Sequence, residues 1–501
     1  MILKQFLIYC KFKKSEKCKI LYMLRINLND EIFGNEAGED EDIEILESYF
    51  IDNPKFSKFF NFNKKISVVS AKKGMGKSAL LSIFHQKLVD VQKKFIIRET
   101  GNNLLGLGDF QSTDPAYLEN YWKQVICQRI NIEIGSKICL ALNDTDISMV
   151  EVSELNGLKG KNLLSALLDR LSIKIPLLPE KKQITQVDPI ALLNRYQEEN
   201  QDEEIWLLID DIDAKYLDDE LNQARVGAFF SAIRSLCNEM NGLNIRTTIR
   251  SDVWSNLRNL EDLDKWEQYI TEIIWSQKQV RDILCKQILA YLNRKYPTSK
   301  EAKYNYETQY HELLKIIFEF PIIWQDKEQS IFFAIQSFSN KRPRWLNQIC
   351  RMALEKAAEN PYSQKVKLDH INKILHKFGE KRKSDLIKEH KHQFQELDKF
   401  IDSFRAHKKE YSYSELIFAI ESYFIRGRSP EQIGKIDGLD YKDAHDLANF
   451  AYKIGIISHK DGNKFTSFND DPDLFNTQSN RNNSFIWSIH ISYWEYLGLR
   501  S

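Results

Sequence analysis

The sequence predicts an α/β fold in which a parallel sheet carries helices on both faces. Four short apolar runs have the pattern of buried strands, at residues 66–70, 93–100, 204–213 and 243–250. Between them lie segments whose apolar residues recur at helical spacing. Strands that alternate with helices favour a parallel sheet covered on both sides.

The composition is that of a globular protein and carries no global charge bias. The chain has 501 residues, of which 43% are hydrophobic, and 71 Lys and Arg balance 71 Asp and Glu. A surface for nucleic acid would therefore have to be local. Seven cysteines form no Cys-x-x-Cys pair, which argues against a disulfide framework or a zinc site and favours a cytoplasmic location. No apolar run is long enough to cross a membrane.

The pattern along the chain predicts several domains. The first residues read as a poorly ordered extension, the α/β core contains a largely helical insertion, and the region after the fourth strand becomes all-helical. A polar, charged segment then connects to a last domain with its own core. The predicted limits are 1–30 for the extension, 31–280 for the core with its insertion around 101–200, 281–378 for a helical lid, 379–394 for the linker and 395–501 for the last domain.

The stretch "AKKGMGKS", residues 71–78, joins the first strand to the next helix. Gly74 and Gly76 permit tight backbone turns and leave room for an oxygen-rich ligand. The helix from Lys77 points free N–H groups and its positive dipole end at the same place. This is the arrangement of a phosphate-binding loop, although a chance Gly-Lys-Ser at a strand–helix turn is the alternative.

This loop predicts binding of ATP and Mg²⁺. Lys77 is expected to reach the terminal phosphates and Ser78 to ligate the metal. The side chains of Lys72 and Lys73 are expected to face solvent, with their amides near phosphate. The residues expected to contact the nucleotide are Lys73, Gly74, Met75, Gly76, Lys77, Ser78 and Ala79.

The third strand ends in carboxylates, in the stretch "IWLLIDDID". We expect Asp210 to hold Mg²⁺ and Asp211 to polarise the attacking water. Asp213 is interpreted as a cap or loop residue. A solvated acidic loop is the alternative for this stretch alone. Asp is one methylene shorter than Glu, which is compatible with slow or regulated hydrolysis.

Two arginines are further candidates because a guanidinium binds phosphate oxygens in a planar fork. Arg250 ends the fourth strand, and Arg344 opens a helix in the all-helical region. Arg246 is a weaker candidate. The alternative for each is a surface salt bridge. The predicted catalytic set is therefore Lys77, Asp211, Arg250 and Arg344, and the predicted metal ligands are Ser78 and Asp210.

The last domain predicts three helices followed by a hairpin. Ser412 or Ser414 suits the N-cap of the first helix, and Pro430 lies near the start of the second. Asp461-Gly462 suits the hairpin turn. This order predicts a winged-helix domain, on which the aromatic ending "FIWSIHISYWEYLGL" is expected to pack.

The partner of this domain stays open between DNA and protein. Phosphate contacts need a basic face, and lysines are present at 442, 453, 460 and 464. Aspartates at 440, 443, 446, 470 and 471 dilute that face, which favours protein or intramolecular docking.

The motifs "GKSALL", "LLIDDID" and "RPRWLNQ" together resemble the AAA-like and STAND-like P-loop ATPases of bacteria, and most closely stand-alone members whose genes lie in defence islands. The resemblance covers roughly residues 40–360. It implies a P-loop NTPase core, with Asp210 as metal-binding acid and Asp211 as catalytic acid. It also implies that Arg250 is a first phosphate sensor and Arg344 a second one on the lid. Ala71 in place of the usual first Gly, and the long insertion, are departures.

The sequence thus predicts a Mg²⁺-dependent ATPase that acts as a conformational switch or assembly component, in a homo-oligomer or with a separate effector protein. The resemblance places it in antiphage defence. The alternative is a DNA- or protein-binding regulator that nucleotide stabilises with negligible turnover. A GTPase is disfavoured because both Asn-Lys stretches, "NKKI" and "NKRP", lack the Asp of the guanine motif.

Overall fold

The structure is a computed structural model. It describes residues 26, 28, 30–36, 38, 40–91, 94–105, 112–138, 144–155, 188–257 without 215 and 218, 264–324, and 327–500 without 437, 438, 463, 469 and 482. Most of the predicted N-terminal extension and much of the predicted insertion lie outside these residues. No helix within the described ranges is both long and apolar enough to cross a bilayer.

A five-stranded parallel sheet forms the centre of the first domain, as predicted. In spatial order the strands run β2, β3, β4, β1, β5, and the register places Val68 opposite Thr247 and Ile97 opposite Leu207. The short edge strand was not predicted, because three residues carry too little pattern. The strands are β1 (Ile66–Ala71), β2 (Lys94–Thr100), β3 (Glu204–Asp210), β4 (Leu243–Arg250) and β5 (Ile270–Glu272).

Helices cover both faces of this sheet. Neighbouring strand residues alternate between two apolar layers, since Val68 and Leu207 pack into one layer while Val69 and Leu208 pack into the other. This alternation explains why the strands read as continuous apolar runs. The described helices of this part are α1 (Ile43–Tyr49), α2 (Lys77–Val89), α3 (Gly101–Leu105), α4 (Pro115–Lys137), α5 (Asp144–Leu155), α6 (Pro189–Glu199), α7 (Glu220–Glu239) and α8 (Ser251–Leu257).

The helical lid shares one of these apolar layers with the sheet, so the two form a continuous core. Ser276 begins the lid with a capping box that it forms with Gln279, and Pro343 occupies the first turn of α12. The lid contains α9 (Gln277–Lys295), α10 (Tyr310–Ile317), the antiparallel strands β6 (Ile322–Trp324) and β7 (Lys327–Gln329), α11 (Ile331–Ser339) and α12 (Pro343–Ala358).

The long helix α13 (Leu368–His390) leads from the lid into the last domain and includes most of the predicted linker. Three helices and a hairpin then follow in the order of a winged-helix domain, around a third apolar core. The elements are α14 (Leu397–Asp402), β8 (Glu410–Ser412), α15 (Tyr413–Ile420), α16 (Pro430–Ile433), β9 (Lys435–Ile436), β10 (Leu439–Asp440), α17 (Ala444–Ile454), β11 (Ile457–Asp461), β12 (Lys464–Thr466), α18 (Gln478–Arg481), β13 (Ile486–Ile489) and α19 (Trp494–Leu497).

The aromatic ending does more than pack on the outside of this domain. Strand β13 inserts between β11 and β8 in a four-stranded sheet, and Trp487 lies opposite both His459 and Tyr411. The Trp487 side chain is fully buried, and its Nε1 donates to Asn480 Oδ1 at 2.7 Å. The predicted hairpin is present as the antiparallel pair of β11 and β12.

Candidate functional site

The turn between β1 and α2 has the backbone of an anion-binding loop. Gly74 and Gly76 adopt φ values of 79° and 95°, which glycine reaches without strain. Gly76 is the N-cap of α2, and no side chain caps the helix there. The first N–H groups of α2 therefore lack the side-chain acceptor that usually satisfies them, and they are available to an anion.

The lid holds this loop from above. The N–H of Arg344 donates to the Gly74 carbonyl at 3.2 Å. A Cβ atom on Gly74 would lie 3.0 Å from the Arg344 Cβ, so the loop and α12 are in close contact. Arg344 Nε also donates to the Glu36 carbonyl at 3.2 Å. The structure thus brings the predicted lid arginine to the loop.

Lys77 and Asp211 converge at the loop. Lys77 is 7% exposed, and its Nζ lies 3.8 Å from Asp211 Oδ1 while donating to the Ala71 carbonyl at 3.4 Å. A buried ammonium with one weak carbonyl acceptor and one carboxylate at this distance retains capacity to bind a further anion.

The two neighbouring carboxylates at the end of β3 point to different partners. Asp210 Oδ1 accepts from Thr248 Oγ1 at 2.5 Å, whereas Asp211 lines the cleft together with Ser78. Asp211 has a φ of 48°, which costs a non-glycine residue about 1–3 kcal/mol. Its N–H donates to Asp210 Oδ1 and to Thr248 Oγ1, and these bonds hold the turn. The metal role of Ser78 and Asp210 and the catalytic role of Asp211 stay predictions.

The pKa of Asp211 is raised from 3.8 to about 6. Partial desolvation is the largest cause, and the neighbouring carboxylates of Asp210 and Asp213 add to it. The attraction of Lys77 lowers the pKa without cancelling these effects. Asp211 therefore exchanges its proton near neutral pH.

A backbone contact supports this turn from behind. A Cβ atom on Gly101, at the start of α3, would lie 2.4 Å from the Asp211 carbonyl oxygen and 2.6 Å from the Ile212 Cα. Only glycine permits that approach, because both opposing atoms belong to the main chain and cannot rotate away. The helix after β2 thus fixes the position of the carboxylates that follow β3.

A cleft of about 240 Å³ extends from the loop. Besides residues 73–80 it is lined by the segment 35–56, by α9 and by the start of α12. Ile51 and Phe56 supply apolar surface, and Trp275 donates from Nε1 to the Met75 carbonyl at 2.9 Å. The place of segment 35–56 at the cleft was not predicted, because a contact between segments distant in the chain leaves no local pattern, even though helix α1 within it has helical spacing.

The structure places Arg250 and Arg246 differently from Arg344. Arg250 forms an ion pair with Asp213 and donates to the Glu389 carbonyl at 3.2 Å, which ties the end of β4 to α13. Arg246 is fully buried. Its guanidinium donates to the carbonyls of residues 59, 61, 64 and 65, so its role is to hold the segment that leads into β1.

A second cavity of about 540 Å³ also borders Lys77 and Asp211. Its wall includes Arg250 and the C-terminal end of α13. Lys72 is not solvent-facing, contrary to expectation. Its Nζ donates to the Lys453 carbonyl of α17 at 3.4 Å and lies 6.0 Å from the Phe468 ring. The loop therefore contacts the winged-helix domain directly.

Comparison with protein-family models and with curated proteins found no match. Three solved structures illustrate what resembles the chain. Cdc6p from Pyrobaculum aerophilum is 11% identical over 92% of this chain and 94% of that chain, with a TM-score of 0.35. The Aeropyrum pernix ORC1 protein in complex with DNA is 11% identical over 96% and 94%, with a TM-score of 0.31.

The Aeropyrum pernix ORC2 protein, in ADPNP and ADP complexes, is 10% identical over 89% of this chain and 88% of that chain, with a TM-score of 0.36. Likenesses this remote carry no inference about function. The strand order and the loop on β1 in this chain are themselves those of a P-loop NTPase core, with a helical lid and a winged-helix domain after it.

Proposed function

We propose that this chain binds ATP with Mg²⁺, hydrolyses it and uses the cycle as a conformational switch. The observation that carries the proposal is the convergence of three groups. These are the uncapped head of α2, the buried Lys77 ammonium and the Asp211 carboxylate 3.8 Å from it. Together they offer amides and a cation to a polyphosphate and a base to a water molecule.

The residues present fit a nucleotide and its metal. The left-handed glycines leave room for phosphate oxygens against the loop, and the apolar surface at Ile51 and Phe56 suits a planar base. Ser78 and Asp210 would hold Mg²⁺, which neutralises phosphate charge when it is bound. Arg344 reaches the same cleft from the lid, so that lid position can depend on the phosphate.

Asp211 is the general base in this proposal. Its pKa of about 6 keeps it mostly ionised at pH 7 while leaving it basic enough to accept a proton. Its carboxylate faces the cleft, whereas that of Asp210 is bonded to Thr248. Arg250, held by Asp213, borders a second cavity that Asp211 also lines, so its guanidinium lies near the proposed base.

The test separates binding from turnover. Replacing Lys77 with Ala removes a charged contact worth about 1.5–3 kcal/mol, so ATP affinity should fall about 10- to 150-fold in calorimetric titration. Asp211→Asn should keep ATP affinity within a few-fold and lower phosphate release by about 10²–10⁴-fold. Lys87→Ala, on the exposed far end of the same helix, is the matched control and should change neither. Unchanged ATP affinity in the Lys77 variant would contradict the proposal.

The second candidate function is a regulator that nucleotide stabilises with negligible turnover. The contact of Lys72 with Lys453 favours it, because a ligand at the loop can hold the two domains in place without hydrolysis. Equal background phosphate release by the wild type and Asp211→Asn, with ATP bound to both, would select this function over an ATPase.

Partners and setting belong to the same proposal. Helix α17 buries most of its side chains, and its Lys453 carbonyl accepts from Lys72 of the loop, which supports protein or intramolecular docking over DNA. Assembly with further copies or with an effector protein, and a place in antiphage defence, rest on the sequence resemblance. Electrophoretic mobility with duplex DNA, and the mass of the complex with and without ATP, test these points.

A further inference from the structure

The C-terminal end of α13 places a buried carboxylate against the phosphate-binding loop. Glu389 Oε1 accepts from the backbone N–H of Lys73 at 3.2 Å, and its Oε2 accepts from Arg342 Nη1 at 2.8 Å. Arg342 Nη1 also donates to the Lys73 carbonyl at 3.4 Å. We call Lys73, Arg342 and Glu389 the loop clasp.

The loop clasp is almost fully removed from water. The side chains of Arg342 and Glu389 are 4% and 1% exposed. Burying charges of this kind is costly, and such pairs are weak contributors to stability. We therefore look for a role of the Arg342–Glu389 pair other than stabilising the fold. The Lys73 amide that donates to Glu389 indicates such a role, because it belongs to the loop that binds phosphate in the proposed function.

The same residue connects four parts of the molecule. Glu389 lies on α13, Lys73 on the loop and Arg342 at the start of the lid helix α12, and the Glu389 carbonyl accepts from Arg250 at the end of β4. A change in the position of Glu389 would therefore alter contacts with the lid, the loop and the sheet at the same time.

The winged-helix domain is attached at the same place. Lys72, next to the loop clasp, donates to α17, and Lys341, next to Arg342, forms an ion pair with Asp470 at 2.5 Å. Loss of the loop clasp would remove the contact that lies between these two attachments.

We propose that the Glu389 carboxylate is an internal competitor of the terminal phosphate at the loop, so that triphosphate binding loosens the docking of α13 and the winged-helix domain. This inference rests on the proposed nucleotide binding. The Lys73 N–H that is bonded to Glu389 is less available to a phosphate oxygen, and a terminal phosphate beside a buried carboxylate would be repelled by it. By thermodynamic linkage, each then weakens the binding of the other by the same factor.

Hydrogen exchange of the full-length chain tests the coupling. Backbone exchange in residues 384–396 and 447–461 should rise at least about 5-fold when ATPγS is added and should change little with ADP, which lacks the terminal phosphate. Lys77→Ala should suppress the ATPγS effect at the same nucleotide concentration. Equal exchange with ATPγS and without nucleotide, or added protection, would overturn the inference.

Variants of the loop clasp give an independent measurement. Glu389→Gln should bind ATPγS about 5- to 150-fold more tightly than wild type and should show raised exchange before nucleotide is added. The double variant Glu389→Gln/Arg342→Met removes both buried charges. It is used in place of Glu389→Gln if the single variant does not fold. It should likewise show raised exchange in residues 447–461 before nucleotide is added. Glu396→Gln is the control, because Glu396 follows α13 but pairs with Lys399 and Arg428 instead of the loop.

The outcomes distinguish this inference from the proposed function. If neither the wild type nor any variant binds ATPγS in calorimetry, the proposed function fails. If wild type binds ATPγS, while Glu389→Gln has the same affinity and the exchange of residues 447–461 is unchanged, only the competition fails.

Discussion

At the scale of single residues, neighbouring groups determine what each of the two carboxylates at the end of β3 can do. Asp210 and Asp211 are adjacent in sequence and have the same side chain, yet one bonds to Thr248 and the other lies 3.8 Å from Lys77. Sequence reasoning identified both carboxylates because they end an apolar strand. It could not predict which one faces the cleft, because that depends on a left-handed backbone at Asp211 and on a threonine from another strand.

The pH profile of hydrolysis tests the role of Asp211. As a general base it must be ionised, and its pKa is raised to about 6. Activity should therefore be low at pH 5, rise through about pH 6 and level off above pH 7. The measurement is phosphate release at saturating ATP between pH 5 and 8. The residual rate of Asp211→Asn should lack this rise. A wild-type profile that is flat over this range would exclude Asp211 as the titrating base.

At the scale of elements, local patterns predicted most of what the structure contains. The strands β1 to β4, the loop, the lid helices and the hairpin of the winged-helix domain all follow from patterns within about 20 residues. The exceptions share a cause. Strand β5 is three residues long, segment 35–56 reaches the cleft from a distant part of the chain, and the loop clasp joins Lys73 to Glu389, 316 positions away. Such contacts are set by packing, which the local sequence does not encode.

Strand β13 offers a prediction at this scale. Trp487 is fully buried at the centre of the last sheet, so Trp487→Ala should destabilise this domain by about 3–5 kcal/mol. Ile486, the next residue on the same strand, is 40% exposed, and Ile486→Ala should cost about 1 kcal/mol or less. Urea unfolding followed by hydrogen exchange in residues 411–489 measures both. Similar costs for the two variants would show that Trp487 is no more buried than Ile486.

At the scale of the whole molecule, the loop is a joint between domains as well as a candidate ligand site. Lys72 extends from it to α17, and its pKa is lowered to about 8. Burial is the main cause, and the nearby Arg342 adds to it while Glu389 opposes it. One of the contacts that dock the winged-helix domain is therefore made by a lysine whose burial disfavours its charge.

Docking should strengthen as the pH rises. Once the domain is released, Lys72 regains an ordinary pKa near 10.5 and binds more protons than in the docked form, so docking gains between about pH 8 and 10. Energy transfer between fluorophores on non-natural residues at positions 87 and 435 measures docking, in urea that half releases the domain. Lys72→Met should abolish the dependence between about pH 8 and 10. A wild-type signal that falls with rising pH would contradict it.

The backbone contact at Gly101 has a consequence for how this protein tolerates change. In a saturation-mutagenesis scan, position 101 should accept almost no substitution, because even a methyl group would displace the chain beside Asp211. Such a scan would score Gly101 like a catalytic residue, although Gly101 has no side chain that could take part in the chemistry. Low tolerance at position 101 would reflect the shape of the neighbouring turn and not a contact between residue 101 and a ligand.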